Sequence, residues 1–206
     1  TYSEVIRGLP GETLESFKEG LENMVGESNI ETIYIFPCIV LPNAPMNLPE
    51  YKEKYAIKTI HSPISLRHTS IQNETMDEFE NLITNTSSFN FDDLKEMHVY
   101  SWVILTFQNL GIMQYVAKYY NQMYGLKFVD FYAEFLKYCR SKKSIFSEEY
   151  ENLVEYMKIG YSGKGWNHFD SKIGDINWPI EEASWLRLVS QKDTLSKDIY
   201  QFLINF

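Results

Sequence analysis

The first forty residues constrain the fold more than any other stretch. Val5 and Ile6 read as a short strand ending at Gly8-Leu9-Pro10-Gly11. Thr13 then stands where it can cap a helix whose apolar face is Leu14, Phe17, Leu21 and Met24. After Gly26 and Asn29, the run Ile30 to Phe36 is β-branched, aromatic and nearly continuous in apolar character, as expected of a strand covered on both faces, and Pro37 then removes a ladder donor. Strand, helix and strand in this order form a βαβ unit, which requires a parallel pair. A parallel pair standing alone is poorly stable. The unit therefore reads as the edge of a larger sheet whose other strands lie upstream of Thr1, and the chain is expected to be the carboxy-terminal piece of a longer polypeptide.

The rest of the chain reads differently. Leu41 to Pro49 is a proline-rich loop, Tyr51 to Tyr55 a short helical stretch, and Ile57 to Leu66 mostly extended. From about Thr75 the expected pattern is helical. One helix carries Met76, Phe79, Leu82 and Ile83, and a second opens at Asn90 with Asp92 and Asp93 in its first turn. Leu94 to Phe107 places apolar residues on nearly every face, as a central buried helix does. Further helices carry Ile112 to Met123, Phe128 to Cys139, and Tyr150 to Met157, the last capped by Ser147. Gly160 to Gly165 stops the helices, and Trp166 to Trp178 is a looped or extended excursion with a turn at Gly174-Asp175. Pro179 then starts a final helical region with a break near Asp193. The fold class is thus α+β and mainly α. Its expected parts are residues 1–45 as strands of a truncated sheet, 46–74 as a connection, and 75–206 as a helical domain.

Composition excludes several functions. A net charge of −9 argues against nucleic-acid binding, which needs a dense basic surface. The cluster Lys137, Arg140, Lys142 and Lys143 falls where a helix ends and complements its dipole. Cys38 and Cys139 lie far apart without metal or disulfide spacing, which fits a reducing, cytoplasmic setting. The longest apolar run, Val99 to Phe107, is far short of the ~20 residues a membrane span requires. His61, His68, His98 and His168 match no metal spacing and read as ordinary polar or half-buried histidines. The paired acids Asp92-Asp93, Glu148-Glu149 and Glu181-Glu182 stand at helix starts, where dipole complementation accounts for them. Aromatic residues between Tyr115 and Tyr138 recur at helical spacing, which indicates core before cavity lining.

The segment Glu4-Val5-Ile6-Arg7-Gly8-Leu9-Pro10-Gly11-Glu12-Thr13-Leu14-Glu15-Ser16-Phe17 resembles the fifth strand and following helix of the radical S-adenosylmethionine (SAM) barrel, as written in its cobalamin-binding branch. Ile33 to Pro45, with Phe36-Pro37 and Leu41-Pro42-Asn43-Ala44-Pro45, resembles the sixth strand and the loop leaving it. Asn85 to Gly111 resembles the start of the helical region after the barrel. The resemblance implies a partial TIM-type barrel, followed by a carboxy-terminal helical domain that caps it and shapes substrate access. In the whole enzyme it implies a 4Fe-4S cluster on three cysteines, SAM as the source of an adenosyl radical, cobalamin and, in many members, methyl transfer. Its implied partners are the upstream barrel and cobalamin domain of the same polypeptide.

By the same resemblance, Ile6 and Gly8 lie near the adenine, and Leu41, Pro42 and Asn43 offer backbone groups to its edge. The broader family pattern has glycine two positions before that isoleucine, where this chain has Glu4. The chain contains no Cys-x-x-x-Cys-x-x-Cys and no Asp-x-His-x-x-Gly, so no catalytic or metal-ligating residue is assigned. No cofactor is expected on the piece alone, which should be inactive. Dimerisation through the open strand edge is expected. The competing reading is a non-catalytic helical interaction domain with a βαβ appendage.

Overall fold

The computed structural model describes residues 1–28, 30–70 and 78–206. β1 (Tyr2–Arg7), α1 (Leu14–Glu22) and β2 (Thr32–Pro37) form the expected βαβ unit, with β1 and β2 parallel and Val5 opposite Ile35. Thr13 caps α1 through a reciprocal box, its Oγ1 accepting from Ser16 N at 3.1 Å while Ser16 Oγ accepts from Thr13 N at 2.8 Å. The helix buries Phe17 and Leu21 and widens into a π turn at Asn23–Glu27 that buries Val25. Asn29, expected at the turn that follows, lies outside the described residues.

β2 is covered on one face, not on both. Ile33 and Ile35 are buried, whereas Tyr34 is 48% and Phe36 39% exposed. On β1 the matching residues Tyr2 and Ile6 are also exposed, and Tyr2 and Phe36 both pack against the Tyr34 ring. The helical layer covers the inner side, and the described residues leave this aromatic side open. The two edges of the pair also differ. Cys38 N donates to Arg7 O at 3.0 Å, so alternate peptides of β2 turn toward β1 and the intervening ones face away. The Asn109 side chain meets the outward peptide of Ile33, accepting from its N–H at 3.3 Å and donating to its C=O at 2.6 Å. Asn109 thereby imitates one peptide of a neighbouring strand, and Pro37 has no N–H to offer on that side.

α2 (Pro49–Lys54) follows the proline-rich loop, and β3 (Lys58–Pro63) pairs antiparallel with β4 (Phe79–Asn85). The helix expected over Phe79, Leu82 and Ile83 is therefore a strand; Met76 lies outside the described residues. The helical spacing misleads because β4 is covered on both sides at Leu82, Ile83 and Thr84, which erases the alternation of a half-buried strand. Its second edge is taken by the segment leaving β2, where Val40 N donates to Asn81 O at 2.8 Å and Ile83 N to Cys38 O at 3.0 Å.

The helices follow. α3 (Phe91–Val103) starts with Asn90 as cap and Asp93 completing the box, and passes into a buried π segment, Ile104–Asn109. α4 (Gln114–Tyr124) stops at Gly125 in the left-handed region, φ 66°. α5 (Phe128–Ser141) and α6 (Ile145–Ile159) come next. The cap of α6 is Ser144, and Ser147, expected to cap, is the return partner three residues on. A hairpin of β5 (Phe169–Asp170) and β6 (Gly174–Asn177) occupies the excursion before α7 (Ile180–Ser190) and α8 (Lys192–Leu203), which break at Gln191. One core runs from Phe17 through Trp102, Phe107, Phe135 and Phe146 to Phe202. At its centre Phe107 packs edge-on against Phe135 at 4.7 Å, and the buried Tyr132 hydroxyl donates to Gln108 Oε1 at 2.7 Å. The architecture is α+β and mainly helical, with small two-stranded sheets and no closed barrel among the described residues. No helix among them is long and apolar enough to cross a membrane.

Candidate functional site

Ile6 and Gly8 stand at the carboxy-terminal end of β1, where Arg7 lies opposite Pro37 of β2, and Leu41 to Asn43 follow β2 in the loop beyond it. Ile6 is 46% exposed on the open aromatic face. Gly8 has φ +85°, which requires glycine, and a Cβ there would sit tightly at 3.2 Å from Leu94 Cδ1. Its N–H is taken by Glu12 Oε2 at 2.8 Å, which closes the Gly8-Leu9-Pro10-Gly11 turn. Leu41, Pro42 and Asn43 are exposed. Two of their carbonyls already accept one bond each, Leu41 O from Ala44 N at 3.1 Å and Pro42 O from Asn47 Nδ2 at 2.8 Å. Each keeps one lone pair. An apolar contact at Ile6, close backbone at Gly8 and carbonyls with spare acceptor capacity fit the edge of a nucleoside. The residues do not fit an iron–sulfur cluster: Cys38 and Cys139 are both buried, and burial pushes the Cys38 thiol up to about 11.

Behind β1, on the face opposite Ile6, a cavity of about 70 Å³ lies between the βαβ unit and the helices. Arg7, Arg67, Glu80, His98, Tyr161 and Glu181 are among its polar lining residues, with Tyr156 and Trp166 beside them. Arg7 enters because β1 alternates: with Ile6 outward, Arg7 turns inward, where it is 6% exposed. Glu181 stands in the first turn of α7, as its dipole favours, but it is drawn into the cavity and faces Arg67 at 3.8 Å. Burial raises its pKa, and Arg67 opposes that rise. His98 on α3 is held well below the usual imidazole range, first by burial and then by Arg7 and Arg67, so it is neutral and bonds the Tyr161 hydroxyl at 3.2 Å. Tyr156 donates to Trp166 O at 2.9 Å. Trp166 packs over Gly160, where a Cβ would fall inside the indole ring. The glycine run that reads as a helix stop is therefore also the seat of a tryptophan.

Sequence reasoning missed Arg7, Tyr156, Tyr161 and Trp166. Arg7 was within reach of the alternation argument; the others come together only through tertiary packing. The Tyr115–Tyr138 stripe contributes no side chain to this cavity. Glu149, read as a dipole partner, is 5% exposed and forms a two-pronged pair with Arg187 at 2.8 and 2.7 Å. Arg187 in turn holds Asp170 at 3.1 Å, and His168 lies beside it at 3.2 Å.

The chain is 27% identical over 98% of its length to the cobalamin-dependent radical SAM methyltransferase TokK of Streptomyces tokunonensis. The chain is related to the cobalamin-dependent radical SAM enzymes. It is also 24% identical, over 67% of its length, to a 2-(S-pantetheinyl)-carbapenam-3-carboxylate methyltransferase of Streptantibioticus cattleyicolor. The matches cover 32% of the first relative and 20% of the second, so the chain spans about a third or less of the curated relatives it matches. No family model matches it.

Proposed function

We propose that the chain is the carboxy-terminal part of a cobalamin-dependent radical SAM enzyme whose whole polypeptide transfers a methyl group. In this reading residues 1–45 supply the last two barrel strands, 46–74 connect, and the helical part from about residue 75 caps the barrel and shapes substrate access. The observation that carries it is the parallel pair of β1 and β2, with one edge met by Asn109 and an aromatic face left open. Such a pair accepts new strands at the β1 edge, the edge an upstream barrel and cobalamin domain would extend. Relationship to a cobalamin-dependent radical SAM methyltransferase over nearly the whole chain supports the same reading.

The chain's own residues have limited tasks. Ile6 provides apolar surface beside the adenine, Gly8 lets backbone approach, and Leu41, Pro42 and Asn43 offer carbonyls to its edge. When bound, SAM with its iron–sulfur cluster supplies an adenosyl radical, and cobalamin supplies the methyl group. The reading frame upstream of Thr1 should encode a three-cysteine motif, and the whole polypeptide, reconstituted anaerobically, should show iron–sulfur absorbance. An unrelated upstream domain, or no such absorbance, would favour the interaction-domain alternative. In the reconstituted protein Ile6→Glu should weaken SAM binding at least about tenfold, a loss of about 1.4 kcal/mol, with cluster absorbance unchanged.

A further inference from the structure

Among the described residues, the cavity behind β1 holds a buried guanidinium that no carboxylate touches, although Glu181 acts on it from a distance. Among the described residues the Arg7 Nε has no hydrogen-bond partner, and no carboxylate lies within ion-pair distance of the guanidinium. The Trp166 Nε1 that lines the same cavity is also buried without an acceptor. Two unsatisfied donors from distant parts of the chain in one cavity are unusual, because buried polar groups are nearly always paired. The nearest acids make their closest contacts with another cation. Glu181 faces Arg67 at 3.8 Å, and Arg67 is also the cation that acts on Glu80. Tyr156 spends its proton on Trp166 O, and Tyr161 meets both neutral His98 and the Arg7 guanidinium as an uncharged hydroxyl. A few waters would fit in about 70 Å³ and could bond these donors, but they would leave Arg7 without a direct ion-pair partner.

We propose that this cavity is a carboxylate site, with the Arg7 guanidinium as its planar fork, the Trp166 indole N–H as a second donor, and Trp102 and Ile180 against the apolar body of the ligand. A guanidinium offers two parallel donors that match a carboxylate. The nearby Glu80 and Glu181 disfavour a dianion such as phosphate, which would add a second negative charge to a lining that already holds two carboxyls. Arg67, which also lines the cavity, has a side chain 46% exposed. The carboxylate has two sources: a free small molecule, or an acidic side chain from the remainder of a longer polypeptide. The site lies on the opposite face of β1 from Ile6, so it does not rest on the nucleoside reading.

The test is a titration of the 206-residue chain, labelled with ¹⁵N at its tryptophans, with sodium acetate and sodium benzoate at constant ionic strength, chloride serving as reference. The Trp166 indole signal, assigned through Trp166→Phe, should shift saturably with either carboxylate, stay fixed in chloride, and lose its response in Arg7→Met. Trp166→Phe should weaken acetate binding several-fold, read from the remaining indole signals. Because Arg7→Met removes a buried charge that has no direct ion-pair partner, it should raise the thermal midpoint by about 2–4 °C without carboxylate. A lower midpoint, the sign of an Arg with a structural partner, would overturn the proposal. So would no saturable shift, or tighter binding of inorganic phosphate than of acetate. The same acetate response in the longer polypeptide identifies a free carboxylate. Loss of that response, with Arg7→Met now lowering the midpoint, identifies a side chain of the polypeptide itself.

Discussion

Burial, together with the guanidinium groups of Arg7 and Arg67, holds His98 well below the ordinary imidazole range. In the unfolded chain the same imidazole titrates near 6.5. As pH falls past that value the unfolded chain takes up a proton that the folded chain refuses. The stability present above about pH 6.5 is therefore lost on acidification, by up to about 1.4 kcal/mol per pH unit. His168 shifts in the same direction, first through burial and then through Arg187. The carboxyls of Glu12, Glu80 and Glu181 are raised and act with the opposite sign, so the total slope does not isolate His98. A difference does. His98→Gln keeps a polar group for the Tyr161 hydroxyl and cannot titrate. The stability gap between the parent chain and this variant should narrow by about 1–2 kcal/mol from pH 7 to pH 5, measured by urea unfolding. Parallel pH profiles for the two proteins would show that His98 is not the group refused. Nothing in the linear string marks His98 out, since its neighbours Arg7, Tyr161 and Trp166 reach it from other elements.

Among the elements, local rules carry the reading as far as local physics decides. Thr13 and Asn90 cap where the sequence places them, because a cap needs only residues three positions apart. β4 is mistaken for a helix because it lies between β3 and the Cys38 to Val40 segment with Leu82, Ile83 and Thr84 buried in succession on both faces, none of which its own spacing shows. Glycines show the same division. Gly20 lies inside α1 with open space where a Cβ would go, so Gly20→Ala should stabilise the chain by about 0.5–1 kcal/mol through helix propensity alone. Gly160 also has helical backbone, φ −58°, and propensity predicts the same gain. Its Cβ, however, would enter the Trp166 ring. Gly160→Ala should instead cost about 2–3 kcal/mol and shift tryptophan fluorescence, since the indole must leave its seat. Thermal melts of the two variants should move in opposite directions; a rise for both would mean that Trp166 packs elsewhere.

For the whole molecule, the open face of β1 and β2 decides which parts this chain completes by itself. The βαβ order was legible because strand, capped helix and strand follow one another with their periods intact. The bareness of one β2 face was not, since Ile33 to Phe36 reads as a run meant for cover on both sides. Tyr34 and Phe36 face outward from a sheet that the described residues do not extend. Replacing both by lysine removes the contact between their two rings and that of Tyr2 with Tyr34, and leaves the inward-facing Ile33 and Ile35 in place. Tyr34→Lys with Phe36→Lys should therefore leave unfolding free energy within about 1 kcal/mol of the parent. Exposed aromatic surface beside a free strand edge favours self-association, so the parent should sediment as a concentration-dependent dimer and the double variant as a monomer. In a longer polypeptide with the proposed barrel, the same two lysines would point into its interior and should abolish SAM binding, because buried unpaired charge is strongly destabilising. A loss above about 2 kcal/mol in the 206-residue chain would place these rings in the chain's own core, and the barrel reading would lose the open face on which it stands.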